Sequence, residues 1–254
     1  MKKCKICGGA CTLVGGIYQC DCCGATFSED DFASRPHFEK GVVQTNRDVG
    51  ADLFDRVRNG VLEINCQGKN TAWCGSGYLV SLRGYAITNA HVAADQDGQP
   101  CKNISVNLCG KQIAAKVVAL ADDQAGRGSG TDLAIIRLAA LPNEAIALSL
   151  ADFNQVHTGE RVFVLGNSLG DGTCITSGIV SDRSRKINGK TLLMTDCAIN
   201  GGNSGGPIFN AEGKVIGTIC SSRIQNDGKG TEGMNYAVPI DIVEAFIEKS
   251  GIIL

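Results

Sequence analysis

The chain has no uninterrupted apolar run of about eighteen residues, the length a membrane-spanning helix needs, so no membrane span is expected. Its start, MKKCKICGGAC, has lysines but no apolar stretch behind them, so no secretory leader is expected and a cytoplasmic location is. Charge of one sign is nearly absent. A net charge of −2 over 254 residues leaves too little basic excess for a broad nucleic-acid-binding face. Histidine is scarce as well: only His37, His91 and His157 occur, which limits any imidazole base to these positions.

What the chain has in quantity is glycine, 33 residues, and cysteine, 13. Six cysteines fall within the first 23 residues, and the other seven are scattered singly. In a reducing compartment, scattered thiols read as small buried apolar groups. The cluster reads differently. Cys4-x-x-Cys7-Gly8 and Cys20-x-x-Cys23-Gly24 are matching knuckles with twelve residues between Cys7 and Cys20. Paired thiolates at this spacing suit tetrahedral Zn²⁺, and a piece of about 25 residues needs such a metal because it buries too little apolar surface to fold alone. The expected structural cofactor is therefore Zn²⁺ on Cys4, Cys7, Cys20 and Cys23 of a zinc ribbon. Cys11 and Cys22 are spare, since only Cys23 keeps both the spacing and the following glycine. The alternative is a disulfide or redox pair. With few basic or stacking aromatic residues, the ribbon is expected to bind a protein activator or adaptor, not nucleic acid.

Residues 28–50 are polar and aperiodic and read as a linker between the ribbon, residues 1–27, and the main domain, residues 51–254. After a short helical ADLFDRVRNG, hydrophobicity in that domain alternates at period two. VLEINCQ, GSGYLVSLRGYAITNA, ISVNLCGKQIAAKVVAL, DLAIIRLA and RVFVLGN read as strands, as do later runs up to MNYAVP. Arg83-Gly84, Cys109-Gly110, Asn188-Gly189 and Glu212-Gly213 mark turns. Many short strands with hardly any helix between them exclude an alternating α/β sheet and leave an all-β barrel or sandwich. Only the end is helical: in PIDIVEAFIEKSG, Ile240, Val243, Phe246 and Ile247 share one face.

Two stretches, GNSLG and GNSGG, fit the G-x-S-x-G pattern of an α/β-hydrolase nucleophile elbow. That fold places its histidine after the serine, yet no histidine follows Ser168 or Ser204. A base for Ser204 must come from upstream, and His91, at the end of the apolar YAIT, is the candidate. A carboxylate is needed to orient it. Of nine aspartates between His91 and Ser204, Asp132 stands directly before an apolar strand, where it can be buried. Asp122 and Asp123 lie in a glycine-rich loop, and Asp196 is the next choice. The glycines around Ser204 suit close backbone approach and exposed N–H donors.

TNAHV, DLAII and GNSGGP, in that order, resemble the motifs of trypsin-like (chymotrypsin-fold) serine peptidases, most closely the HtrA/Deg branch. The likeness extends over roughly residues 51–248. It implies two six-stranded antiparallel barrels with a C-terminal helix, and a triad of His91, Asp132 and Ser204. It also implies an oxyanion hole from the N–H groups of Gly202 and Ser204, and a protein or peptide substrate. Three departures follow from the comparison of motifs. Asn203 stands where digestive enzymes carry an aspartate that pairs with a new N-terminus, so no such activation is expected. Ala198 stands where trypsin carries the aspartate that selects basic residues, so the S1 pocket is expected to take small or medium aliphatic P1 side chains. Little chain follows the helix, so the ribbon is expected to recruit in place of a PDZ domain. A latent enzyme awaiting activation is compatible with these motifs. The competing reading is a non-catalytic scaffold that binds proteins through the protease fold and ribbon.

Overall fold

Alternating side chains give each strand one face for a core and one for solvent, and sheets so patterned close into barrels that have no free edges. The computed structural model describes residues 2–32, 48–95, 97–121, 131–187, 189–224 and 230–253. The turn expected at Asn188, the linker residues 33–47 with His37, and Asp122 and Asp123 lie outside these. The chain divides into two units, Met1–Asn46 and Arg47–Leu254.

The first unit is a four-stranded antiparallel sheet in the order β1 (Lys2–Lys3), β2 (Ala10–Val14), β3 (Ile17–Cys20), β4 (Thr26–Phe27). Gly15 and Gly16 turn β2 into β3 with φ of 61° and 89°, the left-handed pair that a two-residue hairpin requires. Its small core holds Cys4, Cys11 and Cys20 against Tyr18, Phe27 and Phe32. Phe32 meets both Tyr18 and Phe27 edge-on, with centroids 5.1 and 5.5 Å away.

The second unit opens with α1 (Val49–Val57), capped by Asp48, whose carboxylate accepts from Gly50 N–H. Two closed barrels follow, as the resemblance implied. The first comprises β5 (Val61–Gln67), β6 (Ala72–Leu79), β7 (Tyr85–Thr88), β8 (Asn103–Leu108), β9 (Lys111–Leu120) and β10 (Ala134–Leu138), in the order β10-β7-β6-β5-β8-β9. The second comprises β11 (Arg161–Asn167), β12 (Thr173–Ile187), β13 (Lys190–Thr195), β14 (Pro207–Asn210), β15 (Val215–Ile224) and β16 (Gly230–Pro239), in the order β11-β12-β13-β16-β15-β14. A single helical turn, α2 (Ala90–Ala93), follows β7, and α3 (Ile240–Lys249) ends the fold. The Cys109-Gly110 turn carries φ of 52° and 73°, and Gly251 ends α3 at 69°.

Each barrel has its own core: Leu62, Ile64, Val106 and Ile136 in the first, Val162, Val164, Leu193 and Ile208 in the second. A third cluster joins them. Tyr78, Ile87 and Ile135 of the first barrel pack with Phe163, Phe209 and Val238 of the second, and with Leu53 of α1 and Val243 of α3. Fully burying one such side chain contributes about 1.5–3 kcal/mol, so this cluster resists separation of the barrels. Of the seven scattered cysteines, Cys66, Cys101 and Cys197 are buried and Cys174 is exposed. Burial pushes the Cys197 thiol up to about 11, as suits an apolar filler.

At the centre of the joint, the hydroxyls of Tyr78 and Thr218 lie 2.8 Å apart and fully buried. Tyr78→Phe leaves Thr218 without this partner and should lower stability by about 1–3 kcal/mol in urea unfolding. No measurable change would show that water replaces the lost bond.

Candidate active site

The site assembles where β7 and β10 end. Pairing of Thr88 with Ala134 sets the residues after β7 beside those before β10. Asn89, extended at φ −83° and ψ 154°, leads into α2. Ala90, Val92 and Ala93 are buried, which leaves the His91 side chain as the one facing out of the turn, 36% exposed. Asp132 is only 16% exposed, with the buried Leu133 behind it.

Both carboxylate oxygens of Asp132 serve the same histidine. Oδ2 is 2.6 Å from His91 Nδ1, and Oδ1 accepts from the His91 backbone N–H at 3.0 Å. Asn89 Nδ2 steadies the segment by donating to the Asp132 carbonyl at 2.7 Å. A carboxylate at Nδ1 selects the tautomer protonated there and leaves Nε2 free to accept a proton. Asp196 is used elsewhere: its carboxylate accepts from Ile179 N–H at 2.7 Å.

Ser204 lies in the glycine loop before β14, half-buried. Two glycines there admit no side chain. At Gly202, φ is 93° and a Cβ would sit 2.1 Å from the Asn167 carbonyl oxygen. At Gly205, φ is 85° and a Cβ would sit 2.2 Å from the Ser76 carbonyl oxygen and 3.0 Å from Asn89 N. The second contact places the loop against the histidine turn. Among the described residues, no hydrogen bond yet joins Ser204 Oγ to His91, an arrangement common before substrate binds.

The backbone of the loop is directed. Leu169 N–H donates to the Gly201 carbonyl at 2.7 Å. Because that peptide is trans, the Gly202 N–H points the opposite way. Neither Gly202 N–H nor Ser204 N–H has an acceptor among the described residues. Two unpartnered amides beside a serine hydroxyl can receive a developing oxyanion. Leu169 itself is one of two non-glycine residues with positive φ, 58°, among those described. Asn203 is buried, and its Oδ1 has no partner among the described residues. Ala198 is exposed, and its carbonyl accepts from Thr176 Oγ1 at 3.0 Å. His157 lies in the connection before β11, apart from the His91–Asp132 pair.

Sequence reasoning missed Ser76, Asn89 and Leu169, which hold the site in place. Only Gly75-Ser76-Gly77 carried a signal, since glycines flanking one polar residue in an apolar strand mark close backbone approach.

In the first unit, the Sγ atoms of Cys4, Cys7, Cys20 and Cys23 all lie within 4.8 Å of one another. Cys4 Sγ is 3.7 Å from Cys23 Sγ, and Cys7 Sγ is 3.5 Å from Cys20 Sγ. Tetrahedral Zn–S bonds of about 2.3 Å set sulfurs about 3.8 Å apart, so the thiols fit the ion. Cys22 is exposed, and its backbone N–H donates to Cys20 Sγ at 3.4 Å. The N–H groups of Cys23 and Cys22 hold the Cys20 thiol below the usual cysteine range.

Two six-stranded barrels with a carboxylate-held histidine and a glycine-lined serine define the class of two-barrel serine peptidases. Residues 75–217 match the family described as Trypsin-like peptidase domain, and the chain belongs to that family. It is 36% identical over 172 residues to a probable periplasmic serine endoprotease DegP-like of Hahella chejuensis, covering 66% of this chain and 33% of that protein. A protein of the same description from Brucella suis is 34% identical over 185 residues, covering 70% and 34%. The chain thus spans about a third of the length of these curated relatives. Among solved structures, the HtrA-type protease AlgW with tripeptide superposes with a TM-score of 0.67 at 28% identity, covering 78% of this chain and 62% of that one. The serine endoprotease from Yersinia pestis superposes at 0.63 with 26% identity, covering 79% and 65%.

These names overturn the expected cytoplasmic location, because the relatives are called periplasmic. That expectation rested on the residues at the start of the chain, and nothing in the folded domain ties it to a compartment.

If Asp132 orients His91, Asp132→Asn should keep the fold, because Oδ1 can still accept from the His91 backbone. The amide would favour the wrong tautomer and slow fluorophosphonate labelling about 10⁴-fold. Labelling within tenfold of the unsubstituted protein would rule out the orienting role.

Proposed function

We propose that the chain is an HtrA-type serine endopeptidase acting on proteins or peptides through His91, Asp132 and Ser204. The observation that carries this reading is the double engagement of Asp132 with His91, at 2.6 and 3.0 Å. A merely structural histidine does not need both its ring and its backbone held by one largely buried carboxylate. His91 Nε2 takes the proton of Ser204 Oγ as the oxygen attacks the scissile carbonyl. The tetrahedral oxyanion is received by Gly202 and Ser204 N–H. His91 returns the proton to the leaving amine as the C–N bond breaks, and water then hydrolyses the acyl-enzyme by the same route. The unpartnered amides favour this reading over a scaffold, and over a latent state that would need its loop rebuilt.

Ala198 supports a preference for small or medium aliphatic P1 residues, since no carboxylate stands there to pair with Lys or Arg. A fluorophosphonate probe should label the purified protein but not Ser204→Ala, and His91→Ala should label at a small fraction of the rate. Peptides with Val or Ala at P1 should be cut faster than those with Lys. Equal labelling of Ser204→Ala would remove the serine from the mechanism.

For the first unit we propose a zinc ribbon in which Cys4, Cys7, Cys20 and Cys23 hold structural Zn²⁺. Bound there, the ion would supply cross-linking that so small a core lacks. Exposed Ile6, Leu13, Val14 and Ile17 favour a protein as the ribbon's partner, either adaptor or substrate. The intact protein should carry one zinc, lost in Cys20→Ser and kept in Cys22→Ser by metal analysis. Cys20→Ser should also lose cleavage of the physiological substrate while keeping probe labelling. Recovery of two disulfides and no zinc from the intact protein would replace the ribbon with a redox or covalent cluster.

A further inference from the structure

Glycines make the loop around Ser204 reachable, but they do not make it preferred. Gly201, Gly202, Gly205 and Gly206 have more open conformations than any other residue type, so something outside the loop must choose the productive one. The candidate is a single residue of the other barrel.

Ser76 lies on β6, completely buried, between Gly75 and Gly77. Its N–H donates to the Ser204 carbonyl at 2.8 Å. Its hydroxyl donates to the Gly202 carbonyl at 2.7 Å and accepts from Asn167 N–H at 2.8 Å. Its carbonyl accepts from Thr88 Oγ1 at 2.6 Å, on the strand that leads to His91. Ser76 therefore grips the carbonyls of both residues whose N–H groups line the oxyanion hole, and it ties them to the histidine side of the cleft. The strand presses closely there: a Cβ on Gly75 would sit 2.6 Å from the Val92 side chain and 3.2 Å from the Ser204 carbonyl oxygen.

We infer that Ser76 is a positioning residue for catalysis, whose hydroxyl holds the Gly202–Asn203 peptide and so, through the Gly202 Cα, limits rotation of the adjoining peptide that carries the oxyanion-hole N–H. This rests on the proposed triad. Serine suits the position because one small hydroxyl donates and accepts at once. Without it, the Gly202 carbonyl and Asn167 N–H are both buried and unpaired, and the glycine peptide can rotate to find other partners. An ordinary buried serine would stabilise the fold; this one also couples the donors of one barrel to the base of the other.

The test compares Ser76→Ala and Ser76→Cys, which retains a weaker donor, with the unsubstituted protein. The substrate is a peptide with an aliphatic P1 residue, and Ser204→Ala is the control. Ser76→Ala should lose about 10–100-fold in kcat with KM within about twofold, because one oxyanion donor is worth about 10²–10³ and here it is displaced, not removed. A peptide boronate, which mimics the tetrahedral state, should lose affinity in step with kcat while a product peptide binds unchanged. Ser76→Cys should fall in between, and it carries the comparison if the alanine variant does not fold. Unchanged kcat in either folded variant overturns the inference. So does a loss matched by the fraction unfolded with boronate affinity intact. Turnover retained by Ser204→Ala would instead overturn the triad itself, and this inference with it.

Discussion

The joint between the two barrels is the constraint on which everything else depends. Each barrel closes on its own core. The third cluster, with Tyr78, Ile135, Phe163 and Phe209, is covered by the opposite barrel and by α1 and α3. Burying it fixes the distance between β6 and the glycine loop to within the tolerance of a hydrogen bond. The proposed base, His91, sits on one side of that joint and the proposed nucleophile, Ser204, on the other, so the precision of the site is the precision of the packing.

Polar groups then refine what apolar packing brings together. Asp132 spends both oxygens on His91, Asn89 braces Asp132, and Ser76 spans from the histidine strand to the carbonyls of Gly202 and Ser204. Leu169 accepts a left-handed backbone and gives its N–H to Gly201. Such strain persists only when the surroundings compensate for it, and here it helps direct the amide that faces the cleft. The first unit follows a different logic: three buried cysteines and three aromatics make a small core, to which the proposed Zn²⁺ on the thiols would add cohesion.

Much of this was readable from the residues. Period-two runs such as VLEINCQ and the glycine turns gave strands because side-chain alternation is a local property. The helix of PIDIVEAFIEKSG was readable for the same reason. The closure of twelve strands into two barrels came from the resemblance, since pairing order depends on contacts far apart in the chain. His91, Asp132 and Ser204 could be named from motif order. Asp132 is preferred to Asp196 for its place before an apolar strand, and the structure sets Asp132 against His91 and Asp196 against Ile179 N–H. The compartment was not readable at all: residues at one end of a chain do not report where its relatives work.

By itself, the sequence determined which stretches alternate and where the backbone must turn, and it offered His91, Asp132 and Ser204 as the candidate triad. These are properties of single residues and near neighbours. Only the tertiary structure decided that Ser76 meets Gly202, that Leu169 meets Gly201, and that two amides are left free beside Ser204. Those contacts join residues about 30 to 130 positions apart. Their bonds run largely through backbone atoms, which every residue possesses and which therefore leave almost no mark in the sequence.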